Sequence, residues 1–442
     1  MTTGAAGSLD ARSRLVAAGL VAAAAGLGAA ASRSRIAAGL VGAWAASIAA
    51  GAGVLAVAGA ASRMARPVVG ASDPSLRVDV IVPARDEVAV IDGILADLAA
   101  QDLVDGDGAP AFDVTVVDDR STDGTGVVAA AAIAGSRLAG HAAVIRRETG
   151  LDGKGAALAF AATGPPSPGR VVVVLDADAR IAPSFLRRAA ALVAGGSPVL
   201  AARRRMRVRG NGSWSARLAG LQDAEQALDL AIQRGRFRLG GASELRGDGM
   251  VVRADVLDGL GGWARGSLCE DLELSTRLFL ATGRGVEPRN DLVVAEQPVV
   301  GPRDLIGQRV RWAEGAVRRD LLLTLPALGD GRVPVRRRLE LGLGAGQLLI
   351  PWLLVGLATG IRSFRGRRAL AAPLAACAGA AGLLAVTGAL AEGARPPAAV
   401  RRIAVVAFVG HWLVALPIAW IRVIAVGGPP AYRPTRHAPH AP

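Results

Sequence analysis

The residues best suited to chemistry in this 442-residue chain lie in short runs in a fixed order. They are Pro83-Ala84-Arg85-Asp86-Glu87, Asp118-Asp119-Arg120-Ser121-Thr122-Asp123, Asp176-Ala177-Asp178, Gly247-Asp248-Gly249, Glu270-Asp271 and Gln308-Arg309-Val310-Arg311-Trp312. Asp176 and Asp178 follow the run Val171 to Leu175 directly. Two carboxylates at a strand end cost several kcal/mol to desolvate, on the order of that for any buried ion, unless a cation or donors neutralise them. A hard divalent cation that also binds diphosphate oxygens answers that need. A pair of capping carboxylates on a solvated loop would show the same spacing. Asp118 to Gly124 ends another apolar run and reads as a turn with Asp123 as N-cap. A carboxylate there can also accept from a nucleobase or ribose, with Pro83-Ala84-Arg85 forming the opposite wall. Taken together, the runs describe a metal-bound nucleotide diphosphate beside a carboxylate base at a membrane surface.

Gln308, Arg311 and Trp312 stand at i, i+3 and i+4 of a helix expected from Arg303 to Arg319, so they share one face. Arg311 can aim fixed donors at diphosphate oxygens, and Trp312 offers a flat wall to a sugar ring. An interfacial helix with a snorkelling Arg and a membrane-belt Trp is the competing reading for Trp312 alone. The chain has one lysine, Lys154, among 51 Lys+Arg. Where arginine serves almost everywhere, a lone ammonium marks a place unsuited to a planar guanidinium.

The elements that must position these groups follow from periodicity. Val78 to Val82, Val114 to Val117 and Val171 to Leu175 read as buried strands, alternating with helices at Glu87 to Gln101, Gly124 to Ile133, Lys154 to Ala162 and Pro183 to Val193. That alternation implies right-handed crossovers and a mostly parallel sheet, with ligands beyond the carboxyl ends of the strands. Asp118, Asp119, Asp176 and Asp178 occupy that edge.

Apolar content is 52% with only 3% aromatic residues, concentrated at the two ends of the chain. Leu15 to Ala31 and Ile36 to Ala61 read as an antiparallel transmembrane hairpin, the second run extending about 39 Å against a hydrocarbon core of about 30 Å. A cleaved signal peptide is the alternative for the first. Leu341 to Gly360, Ala369 to Ala391 and Ile403 to Val426 are further candidates. Placing the Arg362 to Arg368 loop inside makes Leu341 to Gly360 re-entrant or interfacial, giving four full spans. The net charge of +14 sits largely in arginines beside these runs, as expected facing anionic lipid. Without interleaved aromatics in the centre, nucleic acid is not an expected partner. Two cysteines far apart exclude a disulfide framework, and the four histidines fall outside every run above, which argues against a histidine base.

The order and content of these runs resemble the membrane-embedded family 2 glycosyltransferases of GT-A fold, over about Val78 to Leu322. The resemblance is carried by the Asp118-Asp119 loop, Asp-Ala-Asp, Gly-Asp-Gly, Gly261-Gly262-Trp263 leading to Glu270-Asp271, and Gln-x-x-Arg-Trp. It implies an α/β, Rossmann-like catalytic domain of mostly parallel sheet flanked by transmembrane helices. The expected divisions are a hairpin at 1–62, a linker at 63–77, a cytoplasmic GT-A domain at 78–322, C-terminal interfacial and transmembrane helices at 323–427, and a disordered tail at 428–442.

The resemblance also assigns roles. Asp178, supported by Asp176, would hold Mg²⁺ or Mn²⁺ on the diphosphate. Asp118, Asp119, Lys154, Asp176 and the Pro83-Arg85-Glu87 wall would bind the nucleotide. Asp271, beside Glu270, would be the catalytic base of an inverting attack, and Gly247, Asp248, Gly249, Gln308, Arg311 and Trp312 would line the acceptor and diphosphate. Cys269 stands where Thr is common before the base, which puts base positioning in question, and Asp248 where Asn is frequent, which puts acceptor choice in question. The implied enzyme is a hexosyltransferase moving sugar from a UDP-sugar to a lipid, in the plasma membrane of a bacterium. The Arg311-Trp312-Ala313-Glu314-Gly315 run is similar to bacterial diacylglycerol glucosyltransferases. A processive polysaccharide synthase is the alternative, and an inactive scaffold or sugar-nucleotide sensor a further one. Asn211-Gly212-Ser213 matches a glycosylation sequon but would face the cytoplasm. Gly150 to Gly155 lacks the glycine and hydroxyl positions of a P-loop.

Overall fold

Valines dominate the strands that carry the site. β-Branched side chains suit a pleated surface packed on both faces, and such strands read as continuous apolar runs rather than alternating ones. In the computed structural model, which describes residues 8–61, 76–161, 169–207, 213–391 and 394–428, these runs form β1 (Arg77–Ala84), β2 (Phe112–Asp119) and β4 (Arg170–Val174). Residues 63–75 of the expected linker, nearly all of the tail at 428–442 and Asn211 and Gly212 of the sequon lie outside the described residues, while Arg77, expected as the end of the linker, opens β1.

With β3 (Ala142–Arg147), β5 (Arg180–Ile181), β6 (Val199–Met206), β7 (Met250–Arg253) and β8 (Glu287–Glu296), the strands build one mixed sheet in the order β3-β2-β1-β4-β7-β6-β8-β5. The β3-β2-β1-β4 half is parallel, and β6 also runs parallel to β8. β7 is antiparallel to both its neighbours, and β5 to β8. Register Ala84↔Asp118 levels the carboxyl ends of β1 and β2, and Asp176 follows two residues beyond β4. The expected carboxylates therefore share one edge.

Helices cover both faces of the sheet. Val80, Val82, Val114 and Val116 pack against Ile94, Leu98 and Leu186 on one side. Ile81, Val117, Val172 and Val174 meet Leu158, Leu245, Trp263 and Leu278 on the other. Each such side chain contributes roughly 1.5–3 kcal/mol when fully buried.

Two expected elements differ. The helix expected from Glu87 starts at Ile91, because Glu87 and Val88 donate their N–H groups to Thr125 Oγ1 (2.8 Å) and Asp123 Oδ2 (3.1 Å). Those contacts hold the segment as a turn. The Leu341 to Gly360 run is split into Val335–Gln347 and Ile350–Ala358, bent by 50°, with Pro351 beginning the second piece.

Among the described residues, four helices are long and apolar enough to cross a membrane: Ala11–Ala31, Arg35–Gly59, Gly366–Leu390 and Ala398–Ala425, or five spans if the bent pair counts as one. The last of these is interrupted by 3₁₀ turns at Arg402–Ala404 and Val409–His411. Small residues let the first helix approach Ile350–Ala358 backbone to backbone. A Cβ at Gly356 would lie 1.9 Å from the Ala25 carbonyl oxygen, the kind of contact that packs helices where no hydrophobic effect helps.

Candidate active site

The first wall of the site is two loops tied together. Asp86 and Arg120 both adopt left-handed backbone, φ 56° and 60°, a conformation that costs a non-glycine residue of order 1–3 kcal/mol. Hydrogen bonds hold it: Asp86 Oδ1 accepts from Thr122 N–H at 2.7 Å, and Asp86 N–H donates to Ser121 Oγ at 3.0 Å. Pro83, Arg85, Glu87 and Asp119 consequently face the central cavity. Asp118 does not join them. Its carboxylate is buried, accepting from Ser121 N–H at 3.0 Å and Arg146 Nη1 at 2.7 Å. It braces the turn, while Asp119, paired with Arg147 at 2.6 Å, stands at the cavity.

Lys154 joins three of the runs found in sequence. Its Nζ donates to Asp176 Oδ1 and to the Gly247 carbonyl, and lies 3.9 Å from Glu270 Oε1. Gly155 lets this helix start approach the base region, since a Cβ there would lie 2.4 Å from the Ala264 oxygen and 3.2 Å from Glu270 Cβ. Burial alone would depress the lysine pKa, but Asp176, Glu270 and Asp248 overturn that and hold it above the ordinary value.

The glycine loop needs its glycines. Gly247 and Gly249 have φ of 80° and 66°, and a Cβ on Gly249 would press on Ala202 Cβ at 2.5 Å. Asp248 between them is 1% exposed. Its Oδ1 accepts from Asp176 N–H (2.9 Å) and Gly249 N–H (2.8 Å). This carboxyl therefore supports the Asp176 backbone.

Negative charge outruns its local compensation. Burial, then Asp178 and Asp176, push Glu87 up to about 9. Burial and the neighbouring Asp176 and Glu296 raise Asp248 well above the carboxylate range. Burial also raises Glu270, to about 8, with Lys154 opposing and Asp271 adding to the rise. Such crowding is what a cation relieves. Asp178, 6% exposed, accepts from Gln297 N–H at 2.8 Å through Oδ2. Among the described residues no three His, Cys, Asp or Glu side chains form a cage. The donor set fits an Mg²⁺-like ion held by one or two carboxylates and completed by diphosphate and water.

Asp271 lies in the first turn of helix Glu270–Thr282 and faces the cavity. Burial raises its pKa, with the Leu272 backbone N–H and then Arg246, Lys154 and Arg204 opposing. Cys269 caps this helix and sends its thiol toward the Trp312 carbonyl, Sγ to O 3.7 Å. The Thr-to-Cys departure thus keeps a weak contact to the motif helix. That helix, Pro302–Arg319, begins at Gly301 with proline in its first turn, as expected where an unbonded N–H is dispensable. Gln308, Arg311 and Trp312 face the cavity.

Sequence reasoning missed several residues here. Arg309 is 1% exposed and sits over Trp312 at 4.3 Å. It belongs to the motif but lies off the 308/311/312 face. Arg204, ion-paired with Glu296 and 5.6 Å from the Trp312 ring, also lines the cavity. The run Arg203-Arg204-Arg205 within a strand was its available signal. Glu225, on helix Trp214–Arg238, carried no local signal.

The cavity is about 1140 Å³, at the upper end of ordinary ligand pockets. It runs from the loop wall and carboxylates past the motif helix to the apolar helices, where Trp44, Leu384 and Leu416 line it.

The sequence profile described as Glycosyl transferase family 2 matches residues 79–261, and Glycosyl transferase family group 2 matches residues 171–420, more than half of the chain. The chain belongs to glycosyl transferase family group 2. This glycosyltransferase is 35% identical over 251 residues to a beta-monoglucosyldiacylglycerol synthase of Synechocystis sp., covering 56% of this chain and 49% of that protein. A beta-monoglucosyldiacylglycerol synthase of Nostoc sp. is 32% identical over 253 residues, covering 55% and 50%. The chain thus spans about half the length of these curated relatives. Among solved structures, a mannosyltransferase from Pyrobaculum calidifontis in complex with GDP-Man and Mn²⁺ superposes with TM-score 0.52 at 24% identity, over 86% of this chain and 98% of that one. That likeness identifies the fold as GT-A.

Proposed function

We propose that this glycosyltransferase moves a hexose from a nucleotide-diphosphate sugar, a UDP-sugar in our reading, to the hydroxyl of a membrane lipid, with inversion. The observation that carries the proposal is the single cavity in which Asp271, the Asp176-Asp178 pair and the motif helix share walls with apolar helices. Kinship to two diacylglycerol-glucosylating proteins supports the lipid acceptor.

In the proposed reaction Asp271 takes the proton of the acceptor hydroxyl as its oxygen bonds to the anomeric carbon from the face opposite the diphosphate. The bond from that carbon to the diphosphate oxygen breaks, and the nucleoside diphosphate leaves with the electron pair. A buried carboxylate whose pKa is raised is a better proton acceptor than a solvated one. Asp178, with Asp176, is proposed to hold Mg²⁺ or Mn²⁺, which when bound supplies Lewis-acid stabilisation of the leaving diphosphate. Lys154 neutralises Asp176 and orders the glycine loop. Arg311 presents fixed donors to the diphosphate, Trp312 and Gln308 form the acceptor wall, and the Pro83-Arg85-Glu87 loop with Asp119 holds the nucleoside. Asp118 acts from behind that wall by bracing its turn. We place the protein in a bacterial plasma membrane with the catalytic domain cytoplasmic, a reading supported by the apolar helices and their flanking arginines.

The test is UDP release by the purified protein in lipid nanodiscs with Mg²⁺ or Mn²⁺, across UDP-sugars, with and without diacylglycerol, and with Asp271→Asn as blank. Release that needs one sugar and the lipid is expected. Release without lipid, accompanied by a product that grows in length, would replace the lipid acceptor with a polysaccharide.

A further inference from the structure

One wall of the cavity has no partner in the chemistry above. Trp44, Ser47, Ile48, Gly51 and Leu55 of helix Arg35–Ala61 all line it. Their spacing of three and four residues puts them on one helical face. Ala381 and Leu384 of helix Phe364–Ala391 stand in the same lining. Arg35 is the sole charged residue of the first helix, and those of the second precede Ala369. The faces these two helices turn to the cavity are thus uncharged, while Asp271, Lys154 and Arg311, with Glu225, Asp229 and Arg236 of helix Trp214–Arg238, charge the rest of its lining.

We infer that this wall is an acyl-chain groove, which admits a diacylglycerol-type lipid sideways from the bilayer and points its free hydroxyl at Asp271. The inference rests on the lipid-transfer reading and goes beyond it by assigning the chain-binding residues. The wall chemistry selects the occupant. A glycan strand buried here would leave many hydroxyls without partners, each costly to desolvate, since Ser47 is the one hydroxyl on this helical face and Trp44 its one aromatic. Hydrocarbon loses nothing in the same place. The groove also has free depth: a Cβ built on Gly51 meets no atom within 4 Å. The same is true of Gly53, which points to the opposite side of the helix.

Those two glycines make the test. Gly51→Phe would fill the groove and Gly53→Phe would place the same ring off it. With dioleoylglycerol in nanodiscs, Gly51→Phe should lower turnover about tenfold, the factor for excluding roughly two methylene groups. With water-soluble dihexanoylglycerol the change should stay under about twofold, because short chains leave most of the groove vacant. Gly53→Phe should match the unmodified protein with both acceptors. Equal behaviour of the two variants with dioleoylglycerol would overturn the groove.

A second measurement needs neither variant nor turnover. Cys377 lines the cavity on helix Phe364–Ala391, so dioleoylglycerol should slow its alkylation by N-ethylmaleimide, read at that residue by peptide mass spectrometry. Protection without sugar transfer to any lipid would keep the groove and remove the reaction assigned to it. Transfer to dioleoylglycerol without protection of Cys377 would keep the reaction and remove the groove.

Discussion

Arg309 is ion-paired to Glu225 at 2.5 Å while its guanidinium carbon lies 4.3 Å from the centre of the Trp312 ring. Glu225 Oε1 also accepts from Trp412 Nε1 at 2.9 Å. Three helices are thereby joined: the buried helix Trp214–Arg238, the motif helix and the last apolar helix. The indole that would face the sugar is stacked on a cation whose counter-ion also holds an apolar helix.

This arrangement makes Arg309 a positioning residue with a measurable signature. Glu225→Gln leaves a buried guanidinium without its anion, a change expected to cost about 3–5 kcal/mol. It should show as a lower midpoint of thermal unfolding. Glu225→Leu combined with Arg309→Met should recover most of that midpoint, yet turnover should stay low because Trp312 has lost its stacking partner. Recovery of both together would mean that the pair serves stability alone.

Asp271→Asn should leave nucleotide affinity nearly intact while transfer falls by a factor of about 10² to 10⁴, the usual contribution of a positioned general base. Calorimetric titration with UDP beside a turnover assay separates the two. Equal losses would make Asp271 structural. In the active protein, turnover should also fall as pH drops, since protonation removes the acceptor of the proton, and burial places that fall above the ordinary aspartate range.

Lys154→Arg should behave as a non-conservative change. The ammonium meets Asp176, the Gly247 carbonyl and Glu270 within one small space, and a planar fork cannot satisfy three converging oxygens in the same way. UDP affinity is expected to drop roughly tenfold, a 1.4 kcal/mol effect, with Lys154→Met at least as damaging. Unchanged binding in Lys154→Arg would show that any cation serves.

Glu270 links pH to stability in the metal-free protein. Its folded pKa is about 8, raised chiefly by burial, against the ordinary glutamate value of about 4.5 once unfolded. Between those values the folded chain holds a proton that the unfolded chain releases. Its contribution is therefore complete below the unfolded pKa and is lost as pH rises through the folded one, at no more than about 1.4 kcal/mol per unit. Unfolding midpoints should fall from pH 5 to pH 9 (roughly the window of the two values), and Glu270→Gln should lessen the slope, the remainder resting on the similarly raised Glu87 and Asp248. A slope unaltered by Glu270→Gln would locate the linkage elsewhere.

Gly249→Ala should destabilise by about 2–3 kcal/mol, from left-handed backbone and the crowding of Ala202 and Val294. The midpoint of chemical unfolding reports it, and an unaltered midpoint would show that the loop relaxes freely.

Much of this protein is written locally. A short β-branched run such as Val171 to Leu175 reads as a buried strand, which puts the carboxylates after it at a sheet edge, and apolar runs of membrane length announce themselves by length alone. The residues that converge from distant elements are another matter. Lys154 was conspicuous as the lone lysine, but its joining of Asp176, Gly247 and Glu270 depends on sheet order and on how closely Gly155 approaches Ala264. Asp118 and Asp119 are indistinguishable by pattern, and strand twist with the Arg146 contact sends one inward and the other to the cavity. Glu225 carried no local mark because its partners lie 84 and 187 residues away. Local periodicity encodes elements and their faces. Side-chain partners across the chain, and one cavity reaching from carboxylates to apolar helices, arise only when those faces pack together.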